Sequence, residues 1–222
     1  MIEFKDLLAL AVHRKGCLTP VAAQLPAVKR AAQPRRPDYA FYFSALPRRS
    51  FQARRQPSPV APDRPPLSAS YVGFGPEHQG PTSTSPREER MQDTRLIRHW
   101  GKIKAIRHNA QLVLDLRREY GSMGRWLADW PAEDTVGMWI LLKKRGKQLG
   151  GNSGAAFLRM VGRDTWYPTD DVISVLRAHR IIDKNLSSQR DQRAAQAAFN
   201  QWQSESGRPQ AHISKVLALT VG

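Results

Sequence analysis

The chain has 222 residues, with 35 Lys and Arg against 19 Asp and Glu, for a formal charge of +16. That length suits one medium domain or a domain with an appendage, and the charge points to a polyanionic partner, nucleic acid ahead of an anionic membrane surface. A single cysteine, Cys17, excludes a disulfide framework and a Cys-based zinc cluster, and the histidines show no metal-ligand spacing.

No apolar run approaches the ~18 residues of a spanning helix, and the N-terminus lacks a signal-peptide pattern, so a cytoplasmic protein without membrane contact is expected. From the N-terminus, Phe4, Leu7, Leu8, Ala11 and Val12 recur at helical spacing; Gly16 is placed to end that helix and Thr19-Pro20 to start another, giving an N-terminal helical segment over 1–32. The character then changes. From Gln33 to Arg90 the chain carries 11 of its 16 prolines, several Arg-Arg pairs and few Leu, Ile or Val. Such a composition buries too little apolar area to offset chain entropy, and residues 33–93 are expected to be a linker, a disordered insert or foreign sequence.

Helix signals resume at Thr94. Thr94 is placed to cap a long helix with the stripe Ile97, Trp100, Ile103, Ile106, Ala110, Val113 and Leu114, stopped by Gly121. A short helical segment over Met123–Trp130 precedes Pro131, expected at the first position of a helix with Glu133 and Asp134 in its first turn, running to Lys144-Arg145-Gly146. A tight glycine-rich hairpin follows. Ala155, Ala156, Phe157, Met160 and Val161 then predict a helix ending at Gly162, and Val172, Ile173, Val175 and Leu176 predict the next. Ser187 or Ser188 should cap a further helix with Ala194, Ala198, Phe199 and Trp202 inward and Gly207 at its end, and His212–Leu219 can form the last. The expected fold class is all-α, with a long irregular Pro/Arg-rich segment near the N-terminus.

The hairpin between Leu141 and Val172 holds most of the candidate chemistry. Gly150 and Gly151 let the backbone approach a phosphate without a Cβ in the way, and the N–H groups near Asn152 and Ser153 are placed to donate to it. Lys143, Lys144, Arg145 and Lys147 would add salt-sensitive, sequence-independent affinity for DNA. The alternative is a helix C-cap with a solvated basic end. Trp166 and Tyr167 are candidates for stacking on a base, or else core residues. Trp100, Trp139 and Trp202 read as core. Asp170 and Asp171 are the candidate reactive carboxylates, or else caps for the helix beginning near Val172.

The string Ile97-Arg98-His99-Trp100-Gly101-Lys102-Ile103-Lys104-Ala105-Ile106-Arg107-His108-Asn109-Ala110, with Leu142-Lys143-Lys144-Arg145-Gly146, Gly151 and Asp170 in the same order, resembles the DNA-3-methyladenine glycosylase I family of the helix-hairpin-helix glycosylase superfamily. The resemblance runs over about residues 94–222. It implies a helix-hairpin-helix glycosylase-like domain over 94–222, double-stranded DNA with alkylated bases as partner, a monomer, and no organic cofactor. It also implies hydrolysis of the N-glycosidic bond of 3-methyladenine to initiate base-excision repair, with Asp170 as the superfamily's acidic residue and Asp171 beside it.

Two departures qualify that implication. Family members carry a base-contacting glutamate in a Q-A-G-L-S-W-like motif ahead of the first string; here Phe51-Gln52-Ala53 is followed by Arg54-Arg55, and no glutamate is carried over. Beside the family, residues 33–93 read as foreign sequence of one kind, a segment out of frame with the ancestral gene. Members also hold a structural zinc with two cysteines and two histidines, which one cysteine cannot supply, so no metal is implied. The alternative function is a non-catalytic helix-hairpin-helix DNA-binding protein that lacks the base-recognition segment.

Overall fold

A computed structural model describes residues 1–27 and 100–221, with the side chains of 100–104 and 106 outside the description. The expected Thr94 cap, Ile97 of the first string and the whole 33–93 segment lie outside the described residues. Among those residues the structure is all-α, as expected, with no strand. In chain order the helices are α1 (Phe4–Lys15), α2 (Leu18–Ala23), α3 (Trp100–Tyr120), α4 (Met123–Asp129), α5 (Thr135–Arg145), α6 (Asn152–Val161), α7 (Asp170–Ala178), α8 (Gln189–Ser206) and α9 (Gln210–Leu219). No described helix is long and apolar enough to cross a membrane.

The chain divides into two compact units: Met1–Ala31 with Trp130–Lys144 and Leu149–Gly222, and Ala32–Asp129 with Arg145–Gln148. In the first, α9 packs against α1, α7 and α8, and α1 also meets α2 and α8. The N-terminal helices are therefore part of this compact unit. Polar ties reinforce the packing. The Phe4 amide donates to Glu205 at 2.8 Å, and the Trp202 indole donates to the Ile2 carbonyl at 2.9 Å. The bond from Phe4, with a second from Gln201, holds the Glu205 carboxyl below its ordinary range.

Trp139, Trp166, Phe199 and Trp202 form a continuous aromatic run, with Trp166 stacked on Phe199 at 4.8 Å and Phe199 edge-on to Trp202 at 5.3 Å. Beside it runs a buried polar ladder. The Gln196 carbonyl accepts from Thr135 Oγ1 and from the Trp166 indole, while its amide nitrogen donates to Asn200 at 2.7 Å. Asn200 in turn donates to the Glu133 carbonyl, fixing the turn before α5 to α8. The buried groups, Thr135, Gln196 and the Trp166 indole, would cost more unpaired than their hydrogen bonds contribute, so the ladder specifies how α5, α8 and the Trp166 segment meet.

Several helix starts differ from expectation. Pro131 and Glu133 lie in a turn ahead of α5, because Asp134 Oδ1 takes the Gly137 amide at 3.0 Å and acts as the cap; a Cβ on Gly137 would stand 2.1 Å from Asp134 Oδ2. α7 starts two residues before Val172, with Thr169 as its cap. Ser188 caps α8, with Ala195 and Gln196 turned inward where Ala194 was expected.

In the second unit, α3 packs against α4 and buries Ala105, Asn109, Ala110, Leu112, Val113 and Leu116. Ala110 and Val113 were expected there; Leu112 and Leu116 replace Leu114, which is half-buried. Gly121, at φ +82°, ends the helix as predicted.

Replacing Gln196 with Leu is expected to destabilise the fold by about 1–3 kcal/mol, because the Trp166 indole would be left buried without an acceptor and the Thr135 hydroxyl with only its longer 3.4 Å bond to the Gln210 side chain. Urea denaturation should show the midpoint fall; an unchanged midpoint would remove the ladder from the account of the fold.

Candidate nucleic-acid interface

The turn between α5 and α6 is short and geometrically demanding. Gln148 adopts a left-handed backbone at φ +61°, which costs a non-glycine residue about 1–2 kcal/mol. Gly151, the residue before α6, sits at φ +55° and ψ −134°, a region open in practice only to glycine. Leu149 between them is buried and anchors the turn.

The two other glycines act through space rather than torsion. A Cβ on Gly150 would meet the Lys143 Cγ at 3.3 Å, a flexible neighbour. A Cβ on Gly154 would meet the Leu149 carbonyl oxygen at 2.7 Å, so the chain can pass this close to α6 only over a bare Cα. Gly154 was not singled out from the sequence. Its signal was faint: a third glycine directly before the expected start of the helix at Ala155.

Of the expected phosphate donors, the Ser153 amide is spent on the Gly150 carbonyl at 3.2 Å. The amides of Gly150, Gly151 and Asn152 make no hydrogen bond among the described residues. Asn152 and Ser153 are exposed at the N-terminal end of α6, where the helix dipole favours an anion. Lys143, Lys144 and Lys147 are exposed. Arg145 differs from them: its guanidinium makes two 2.6 Å bonds to the Glu119 carboxylate. That pairing raises Arg145 above its ordinary range and holds Glu119 below its own. A two-pronged carboxylate already occupies the group, so Arg145 is not an open phosphate ligand like the lysines.

The Arg145–Gln148 loop is also held from α3. Asn109, 1% exposed, accepts the Lys147 amide at 2.9 Å and donates to the Lys147 carbonyl at 3.0 Å. His108 Nε2 lies 2.8 Å from the Arg145 carbonyl.

Asp170 and Asp171 are both exposed in the first turn of α7. Neither is the cap, since Thr169 Oγ1 accepts the Val172 amide at 3.3 Å. Their position leaves two carboxylates at a helix N-terminus with solvent access. Trp166 cannot stack on a base: it is fully buried, one face lies on Phe199, Trp139 packs against it with ring centroids 4.5 Å apart, and its N–H is bonded to Gln196. Tyr167 is half-buried, with the Arg159 guanidinium 5.3 Å from its ring centroid.

Asp164, unremarked in the sequence, accepts the Gln210 and Ala211 amides at 2.7 and 3.0 Å and so caps α9 from a distance. Arg163 beside it donates to the Trp130 and Pro131 carbonyls, and burial pushes its guanidinium below the ordinary range.

The model of the methyladenine glycosylase family matches residues 33–140. The match includes the first string and the Pro/Arg-rich stretch, and it stops short of the α5–α6 turn. It agrees with the family the sequence resembles and supports a DNA glycosylase-like function with DNA as substrate. No curated protein and no solved structure matches the chain.

The turn geometry sets an order among the glycines. Gly151→Ala should cost about 1–3 kcal/mol through its torsion, and Gly154→Ala at least as much through the Leu149 carbonyl. Gly150→Ala should stay within about 1 kcal/mol of the parent, since Lys143 can swing aside. Chemical denaturation of the three variants checks the order; Gly150→Ala as the most damaging would contradict it.

Proposed function

We propose that the chain is a helix-hairpin-helix DNA glycosylase that releases N3-alkylated adenine from duplex DNA. The family match over residues 33–140 carries this reading, and the α5–α6 turn supports it as the element that grips the backbone. Residues 94–222 would form the DNA-gripping part. The unbonded amides of Gly150, Gly151 and Asn152 would receive a phosphate, with Lys143, Lys144 and Lys147 adding counterion-releasing contacts. The target nucleotide would leave the stack at a cost of a few kcal/mol, which the backbone contacts offset.

An N3-alkylated adenine is cationic on the sugar, so it departs as a neutral base without prior protonation. As the bond between C1′ and N9 breaks, its electron pair goes to the base and positive charge develops on the sugar. A water oxygen bonds C1′ and its proton passes to solvent. Asp170 would face the developing charge, with Asp171 as the adjacent alternative; a carboxylate beside the sugar would stabilise that positive charge.

A second reading has its own support. The glutamate motif expected of the family has no counterpart after Phe51-Gln52-Ala53, so a protein that binds DNA without releasing a base is the competitor.

The purified chain, incubated with methylated duplex DNA, should release free 3-methyladenine, and Asp170→Asn should slow release by about tenfold, equivalent to about 1.4 kcal/mol of transition-state stabilisation. Asp171→Asn should have the smaller effect. Salt-sensitive binding with no released base would favour the competitor, and the reverse ranking of the aspartates would move the role to Asp171.

A further inference from the structure

We infer that Asn109 is the positioning residue of the Arg145–Gln148 loop, holding it in the conformation that presents Lys147 to DNA. The inference rests on the proposed function and adds a role for a residue that never touches the nucleic acid. Asn109 lies in the string that carries the family resemblance, eleven residues before the end of α3, and its side chain is buried.

Its amide bonds both backbone groups of one residue, accepting from the Lys147 N–H and donating to the Lys147 carbonyl. Two bonds to the same residue fix the peptide planes on either side of it, where one bond would leave a hinge. The Lys147 backbone then faces α3 and its side chain stands exposed.

The next residue explains why such a clamp is required. Gln148 is left-handed at φ +61°, a conformation a glutamine does not choose for itself. The loop is therefore held against its local preference, and the hold comes from α3. Asn109 supplies the buried part, the contact between His108 Nε2 and the Arg145 carbonyl a second point, and the Glu119 carboxylate on Arg145 a third. The Asn109 bonds are part-buried where the other two holds are exposed, so water competes with them least while the clamp is intact. With Asn109 gone, the Lys147 amide and carbonyl would turn to solvent and Gln148 would relax to negative φ.

That mechanism makes a specific demand. A glycine at 148 carries no penalty for the left-handed conformation, so it should compensate for a lost clamp. A residue that merely filled the core would not be rescued from that position.

The test is the binding of the full chain to a short labelled duplex by fluorescence anisotropy across a salt series. Asn109→Ala is expected to weaken binding by about tenfold and to reduce the salt slope by about one unit, as Lys147 leaves its phosphate. Adding Gln148→Gly should restore most of the affinity. Should Asn109→Ala fail to fold, Asn109→Asp keeps the shape and the acceptor while setting a carboxylate against the Lys147 carbonyl; a smaller loss with the same rescue is expected. Parent-like binding by the folded Asn109 variant, or a loss that Gln148→Gly does not relieve, would overturn the inference. Absence of duplex binding by the parent chain would instead overturn the proposed function.

Discussion

A buried primary amide must find both a donor and an acceptor, and Asn109 finds them on a single residue of a loop that follows 38 positions later. Leaving either half unpaired would cost more than the bond returns, so the demand is rigid. The Arg145–Gln148 loop takes its shape from that demand. Lys147 is oriented by it, Gln148 is carried into a left-handed backbone, and Arg145 is drawn to Glu119 by a separate surface pair. The string around Asn109 thus acquires a physical role: it shapes a loop as well as supplying one face of a helix.

Downstream of that loop, the chain satisfies steric conditions that select glycine twice for different reasons. Gly151 is chosen by torsion and Gly154 by the approach of a carbonyl oxygen. Together they leave the amides at the start of α6 uncovered, which is the property an anion site needs. Charge then adds range and not direction. In the proposed site the three exposed lysines would attract any polyanion, while fixed amides would recognise the geometry of a phosphate.

The sequence made the helices legible wherever an apolar period coincided with a stop signal. Gly16, Gly121, Gly162 and Gly207 end helices at positive φ as expected, and Ser188 caps α8. Helix starts were less legible where two capping signals competed. At α5 the short Asp134 side chain reached the Gly137 amide and displaced Pro131 from the helix, and at α7 Thr169 took the cap ahead of both aspartates.

Within the candidate site, the glycines and lysines were visible as residue types, but their division of labour was not. Arg145 looks like its lysine neighbours until Glu119 is brought to it from 26 residues away. Trp166 looks like a stacking platform until Phe199 and Gln196 are seen to occupy its face and its N–H. Such assignments depend on long-range partners, which a local pattern does not encode. The central claim is that the uncovered amides at the start of α6 contact the DNA backbone. Amide hydrogen exchange of the full chain with and without a short duplex tests it directly: Gly150, Gly151 and Asn152 should gain protection on binding, and unchanged exchange at all three in a saturated complex would contradict the account.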